Sequence, residues 1–380
     1  MKTFRGTLIS DVHMSNRLMG ARPGPDGVTD RLQDQIGLWK RVHQSARDHG
    51  GTDVFVLGDL FDKSLVDAIT LTATVRAIAE ADDLTHWILP GNHDAVNTRG
   101  GRFTVEAFGE MGNERIKYLK TGERYGFGLG GWCGFWPLEY GDQDRSRGAL
   151  EWIRGMIGSD KTSGRQENLL MHHSIVGCKF ADWTCDDGLE ADELFRVGFD
   201  WVYSGHFHDT QTFGPDKRGM YLGAPMHHRF EDAGRPAGFW NLIWDGKGGC
   251  EKEFVDGGCP RFFEVEGALE DVPEGAKTGD YIRINVTATT AGWEDVKADV
   301  RARVDAWNKA GYRASFKHKP VYHHARRVAA TEGKKTGGMS VEAMMAAYVE
   351  SPDVDTTGLD LARLRRIGRE ALEAAKAKVP

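Results

Sequence analysis

Five short segments of the chain bring carboxylate, imidazole and amide side chains together at close spacing. They are Asp11-Val12-His13, Gly58-Asp59-Leu60-Phe61-Asp62, Gly91-Asn92-His93-Asp94, His172-His173 and Gly205-His206-Phe207-His208. These are intermediate-to-hard donors suited to manganese, iron, zinc or magnesium, and no thiolate is among them. Residues i and i+2 of an extended segment lie on one side, so Asp11 and His13 can reach one ion. His206 and His208 share that spacing and can serve one ion or two. One carboxylate, Asp59, can bridge. Two ions about 3.5–4 Å apart clamp a phosphate, lower the pKa of a bound water and steady the leaving oxygen.

A lone histidine is more often a core or surface residue than a ligand, so each one is weighed separately. Within Gly205-His206-Phe207-His208 the ligand reading prevails. The apolar run Leu169-Leu170-Met171 ends at residue 172, which favours His172 over His173. Asp62 and Asp94 fit helix-start capping as well as support behind a metal ligand. His227-His228 reads as a substrate-loop pair and His323-His324 as surface.

The elements that must position these groups are short apolar runs alternating with amphipathic stretches. Thr7 to Ser10, Val54 to Leu57 and Trp87 to Leu89 read as strands. Residues 30–49, with Leu32, Ile36, Trp39 and Val42 on one face, and residues 66–81 read as helices. Each chemical segment follows a strand, and the carboxyl ends of strands are where α/β layers bind ligands. Later strands are expected at 126–130, 132–136, 168–172, 199–204, 221–223, 238–244 and 250–255. The last several follow one another with turn signals and no helix between, which predicts mainly antiparallel pairing. The fold class is therefore α/β, with two sheets packed face to face and helices outside.

Beyond Gly257-Gly258 the pattern changes to a small α+β region. Strands at Phe262 to Val265, Tyr281 to Val286 and about 313–317 surround a helix at 292–309. That helix has Trp293, Val296, Val300, Val304 and Trp307 on one side. A segment rich in Arg, Lys, Gly and Thr follows, and then two helical stretches. The divisions read from this are 1–258, 259–322, a linker at 323–339, and a helical segment at 340–380.

The bulk numbers narrow the function classes. The chain has 380 residues, 40% of them hydrophobic, with no apolar run long enough to span a membrane, and no secretory leader is expected at its start. Five widely spaced cysteines without a CxxC argue against a disulfide framework or zinc knuckle, and a cytoplasmic setting is expected. The net charge of −7 is uneven: from Lys317 onward 12 Lys/Arg face 8 Asp/Glu, a local +4 that leaves −11 for the first 316 residues. An acidic chain lacks the broad basic face of an autonomous nucleic-acid binder.

The five segments in this order resemble the calcineurin-like metallophosphoesterase family, whose pattern is D-x-H, G-D-x-x-D, G-N-H-[D/E], H and G-H-x-H. The resemblance covers about residues 7–245 and implies a two-sheet metallophosphoesterase sandwich. It implies that Asp11, His13 and His208 hold one metal, that Asn92, His172 and His206 hold another, and that Asp59 bridges. His93 would face the scissile phosphate and protonate or stabilise the leaving oxygen. Asp94 would accept a hydrogen bond from His93, and Asp62 would support the metal site.

Within that family, the stretch from Asp11 to Asp62 is similar to the SbcD-type double-strand-break-repair nucleases. Tyr221-Leu222-Gly223-Ala224-Pro225, followed at 234–242 by Gly-Arg-Pro-Ala-Gly-Phe-Trp-Asn-Leu, resembles that branch's segment after G-H-x-H. Ala224 replaces its usual serine, and Ala237 its usual lysine. The resemblance implies DNA exonuclease and endonuclease activity in end processing, repair or recombination, with Mn2+ the first choice among divalent ions. It further implies that residues 259–322 cap the site and that the C-terminal helices dock on an SbcC-type ATPase. A homodimer through helices near 66–81 and 102–111 is also expected. The alternative is a stand-alone small-molecule phosphodiesterase or nucleotide phosphatase.

Overall fold

The computed structural model describes residues 3–97, 101–128, 131–160, 164–180, 183–267, 271–320 and Arg366. The first half of the two-sheet fold runs β1 (Phe4–Ile9), α1 (Asp30–His49), β2 (Asp53–Leu57), α2 (Ala68–Ala79), β3 (Thr85–Leu89), α3 (Glu106–Glu110) and β4 (Ile116–Tyr118). The second half runs β5 (Tyr125–Phe127), β6 (Cys133–Leu138), α4 (Gln143–Asp160), β7 (Gln166–Met171), the small hairpin β8 (Lys179–Phe180) and β9 (Trp183–Thr184), α5 (Ala191–Val197), β10 (Trp201–Ser204), β11 (Gln211–Phe213) and β12 (Gly219–Tyr221). Strands β13 (Gly238–Trp244) and β14 (Cys250–Asp256) then return to the first sheet.

One sheet has the order β14-β13-β1-β2-β3-β4 and the other β11-β12-β10-β7-β6-β5. Alternation along each strand divides the core into layers. In β2, Val54 and Val56 pack outward under the helices, while Phe55 and Leu57 fill the space between the sheets. In β7, Leu169 and Met171 face outward and Leu170 faces inward. A strand buried on both faces reads as a continuous apolar run, which is why Val54 to Leu57 shows no alternation in sequence. Helix α1 starts at Thr29, whose hydroxyl accepts the Leu32 N–H, and ends at Gly50 in the left-handed region at φ 76°.

The two-sheet α/β architecture is as expected, and β13 and β14 pair antiparallel as expected, but β10 and β12 do not. Within the second sheet β6, β7, β10 and β12 are parallel, and only the edges β5 and β11 run antiparallel. The reason is the crossover helices α4 and α5, which carry the chain back between parallel strands. Helix α4 buries Leu150, Ile153 and Ile157, a thin stripe interrupted by Gly148, Gly155 and Gly158. So weak a pattern was not legible as a helix. Helix α3 is also shorter than the 102–111 stretch anticipated.

After the second sheet come β15 (Phe262–Glu266), β16 (Tyr281–Ala288), α6 (Thr290–Lys309) and β17 (Arg313–Pro320), in a three-stranded sheet of order β15-β16-β17. The chain divides into two compact units, Met1–Asn285 with Asp299–Lys317, and Val286–Ala298 with His318–Pro380. In the first unit Phe262 stacks on Tyr281 and meets Phe230 edge-on. In the second, the Trp293 ring stacks on His318 at 4.7 Å. His323, His324, the linker at 323–339 and nearly all of the C-terminal segment lie outside the described residues.

Candidate metal centre

Asp11, Asp59 and Asn92 follow β1, β2 and β3 of one sheet, whereas His172 and His206 follow β7 and β10 of the other. Face-to-face packing brings these strand ends together. The backbone is bent sharply to aim the side chains. Asp11, His13, Asp59 and His206 have φ of 53°, 49°, 50° and 95°. Such left-handed conformations cost about 1–3 kcal/mol each and concentrate at functional sites. Glycines let the loops approach: a Cβ at Gly58 would run into the His172 ring, and one at Gly205 into the Leu57 carbonyl.

The donor atoms fall into two adjoining groups. Asp11, His13 and His208 offer ligand atoms all within 4.8 Å of one another, and the Nε2 atoms of His13 and His208 are 3.2 Å apart. In the second group Asn92 Oδ1 lies 3.1 Å from His172 Nε2 and 2.8 Å from His206 Nδ1. Asp59 Oδ2 stands between the groups, 3.7 Å from His13 Nε2 and 3.3 Å from His172 Nε2. All seven expected ligands are thus brought together. His93 stands at the edge with an exposed ring 4.8 Å from that of His13.

The chemistry of this set fits a pair of cations. Two buried carboxylates face imidazoles, and a ligating imidazole must be neutral. Burial lowers His13 and pulls His206 down to about 3. Burial also works against a charge on His172, but the neighbouring Asp59 overrides it and lifts this ring to about 9. The same contact holds Asp59 well below the carboxylate range despite its burial. Negative charge that demands a proton from its histidine here is charge that a metal ion would satisfy.

The structure separates His172 from His173. His173 turns away, its Nε2 3.1 Å from the Glu139 carbonyl and its ring stacked on Tyr140. Asp94 differs from expectation. Its buried carboxylate accepts the N–H groups of Gly91 at 2.9 Å, Phe61 at 3.0 Å and Leu60 at 3.3 Å. It ties the Asp59 loop to the Asn92 loop, because three converging N–H donors hold a buried carboxylate better than one exposed ring would. The His93 ring instead has Nδ1 2.6 Å from the Asp62 carbonyl oxygen. The Asp62 carboxylate lies 3.7 Å from His13 Nδ1, in a supporting position.

His227 and His228 are not exposed substrate-loop residues. His228 Nε2 is 2.8 Å from the Asp11 carbonyl, and His227 Nδ1 accepts the Phe262 N–H. The Arg31 guanidinium donates to the His227 carbonyl at 2.6 Å. Sequence reasoning also missed Gln35, whose amide donates to the carbonyls of Val12 and His13 at 2.8 and 2.7 Å. The available signal was a glutamine on the apolar face of α1 between Leu32 and Trp39. It missed Ser174, with Oγ 3.0 Å from His206 Nε2, and Asp232, with Oδ1 3.8 Å from His208 Nδ1.

Two mixed sheets whose strand ends converge on seven oxygen and nitrogen donors define a metal-dependent phosphoesterase. Residues 4–210 match the family model for calcineurin-like phosphoesterases, and the chain belongs to that family. No curated protein matches the sequence. Solved structures with a related fold include a dimetal phosphatase from Danio rerio, at 11% identity and TM-score 0.42, covering 64% of this chain and 93% of that one. GAP50, described as the anchor in the inner membrane complex of Plasmodium, has 11% identity and TM-score 0.44 over 68% of this chain and 86% of its own. Purple acid phosphatase PPD1 from Lupinus luteus has 15% identity and TM-score 0.42 over 67% and 52%. Among the described residues no helix is long and apolar enough to cross a membrane.

Proposed function

We propose that this phosphoesterase is a DNA nuclease, cleaving phosphodiester bonds as an exonuclease and endonuclease in end processing, repair or recombination. The observation that carries the reading is an aromatic pair beside the metal centre. The ring of Phe180 lies 6.5 Å from that of His208, and Phe180 pairs across the β8–β9 hairpin with Trp183. These two rings are 37% and 50% exposed. Directly opposed residues of a hairpin share a face, so the two offer a platform on which bases can stack beside the scissile phosphate. The sequence likeness of residues 221–239 to the SbcD-type branch supports the same substrate.

Asp11, His13 and His208 would hold one ion, and Asn92, His172 and His206 the other, with Asp59 between. When bound, the ions supply positive charge to the phosphate and activate the attacking water. The mixed oxygen and nitrogen set suits Mn2+, with Mg2+, Fe2+ and Zn2+ also compatible. His93 does the proton chemistry. Its Nδ1 donates to the Asp62 carbonyl, which leaves Nε2 free to face the leaving oxygen. Asp59 Oδ1 accepts the His93 N–H at 2.8 Å and so fixes this acid relative to the bridging carboxylate.

The local charge of −11 over the first 316 residues favours help from a partner. An SbcC-type ATPase engaged by residues 340–380, and a dimer of this chain, would supply the clamping that one acidic subunit lacks. The same charge is the one observation that favours the alternative, a phosphodiesterase or nucleotide phosphatase for small substrates. The test is nuclease activity on end-labelled linear duplex DNA with Mn2+, for wild type, His93→Ala and Asp59→Ala. Degradation by wild type that both substitutions abolish is the expected result. Intact DNA, with or without an ATPase partner, together with His93-dependent cleavage of a nitrophenyl phosphodiester, would establish the alternative.

A further inference from the structure

The hairpin beside the metal centre rests on two cysteines. Strands β8 and β9 match Lys179 with Thr184 and Phe180 with Trp183, so the next positions toward the core are Cys178 and Cys185. Their backbones are bonded there. The Cys185 N–H donates to the Cys178 carbonyl at 2.8 Å, and the Gly177 N–H donates to the Cys185 carbonyl at 2.8 Å. Gly177 has φ 83°, which makes this a bulge in which Gly177 and Cys178 together oppose Cys185. Both cysteines are free, only 5% and 2% exposed, and both belong to one apolar cluster with Phe207 and Tyr221. Two thiols thus lie on the same side of the hairpin base.

We propose that Cys178 and Cys185 are a reversible disulfide site, closed by a small-molecule disulfide and reopened by thiols. The inference is independent of which phosphodiester the centre cleaves. Opposed residues of an antiparallel pair have Cα atoms about 4.5–5.5 Å apart, and a disulfide takes about 4.4–6.8 Å, so little backbone movement is required. The chemistry is an exchange. One thiolate attacks a sulfur of the oxidant, which gives a mixed disulfide and releases one small thiolate. The second cysteine thiolate then displaces the other. The protein gives up two protons and two electrons, and the S–S bond of the oxidant is reduced to two thiols.

Burial pushes the Cys178 thiol up to about 11, and the neighbouring Cys185 adds to the rise. The Cys185 thiol also donates to the Asp187 carbonyl at 3.1 Å. Exchange is therefore slow while the hairpin is closed, and its opening gates the reaction. Opening is within reach because β8 and β9 contribute two residues each, and so small a ribbon is marginal by itself. Gln211 adds a clasp: its side chain accepts the Lys179 N–H at 2.8 Å and donates to the Lys179 carbonyl at 2.7 Å. A disulfide closes the hairpin from the other end and fixes Phe180 and Trp183 in place.

The test incubates the native full-length protein with oxidised glutathione at graded ratios to reduced glutathione. Free thiols are then alkylated and the peptides mapped by mass spectrometry. The expected product is a Cys178–Cys185 cross-link that dithiothreitol reverses. Amide hydrogen exchange across the hairpin is expected to slow by about 10-fold or more in the oxidised protein. Cys185→Ala is expected to stop at a mixed disulfide of glutathione on Cys178. The wild-type cross-link and exchange decide the question even if that variant does not fold. Alkylation of both cysteines at the most oxidising ratio, glutathione on each without a cross-link, or a cross-link that forms only in urea would overturn the site. Unchanged amide exchange after oxidation would overturn the gating by hairpin opening. None of these outcomes bears on the phosphoesterase reading.

Discussion

At the scale of the residue, His93 is separable from the ligands it stands beside. Its ring is exposed while Asp11, Asp59 and His172 are buried, and it contacts the cluster through its backbone N–H. His93→Ala should therefore keep the two-ion stoichiometry while kcat falls by about 10²–10⁴-fold, the usual contribution of a general acid. Paired metal titration and steady-state kinetics would check this, and loss of metal along with activity would make His93 a ligand instead. Gly205 carries a different demand, since a side chain there meets the Leu57 carbonyl. Gly205→Ala should lower stability by about 1–3 kcal/mol, as overpacking does, read as a fall in Tm of the metal-free protein.

At the scale of the element, Asp94 ties the loops after β2 and β3 together. Asp94→Ala strands three buried N–H donors. It should cost several kcal/mol, at about 1–3 kcal/mol per unsatisfied group. Metal affinity should fall with it because Asp59 and Asn92 lose their register, and a variant with unchanged Tm and Mn2+ affinity would refute the role. A second pair of elements sets a pH limit. His43 on α1 and His86 on β3 meet with ring nitrogens 2.9 Å apart. Burial lowers His43 from 6.5 to about 4 and His86 to about 3. The unfolded chain thus takes up protons that the folded one refuses. The stability this pair contributes is complete above pH 6.5 and is lost as pH falls toward 4 and below. Tm should decline across that window, and more shallowly in the double variant His43→Leu/His86→Leu. Parallel declines would assign the acid sensitivity to other buried groups.

At the scale of the whole molecule, the two sheets meet at a cluster in which buried carboxylates face imidazoles. Ligands that bind only the folded state stabilise it by about 2.7 kcal/mol at a hundredfold excess over Kd. Chelation should therefore lower Tm by several degrees, and Mn2+ should restore it in a concentration-dependent way. A Tm indifferent to chelator would mean that the sandwich closes without its ions.

The ligand positions could be read from the chain because each is announced locally. An apolar strand ends and a carboxylate, amide or imidazole follows, with a glycine before it at Asp59, Asn92 and His206. The seven donors, the exposed imidazole at His93, strands β1, β2, β3, β13 and β14, and helices α1 and α2 follow from such short-range signals. What lay beyond them depends on contacts between residues far apart. Parallel order in the second sheet rests on α4, whose thin apolar stripe matters only once a sheet lies beneath it. Asp94 turned inward because Gly91, Leu60 and Phe61 present their N–H groups at one point, which no spacing in sequence encodes. His172 parted from His173 when the chain left β7 and one ring had to face the metal centre while the other faced Tyr140. His228 meets the Asp11 carbonyl only because the loop before β13 folds back, more than 200 residues along the chain, onto Asp11. Local chemistry chose the atoms that can bind; the packing of two sheets decided which of them meet and what stands behind each.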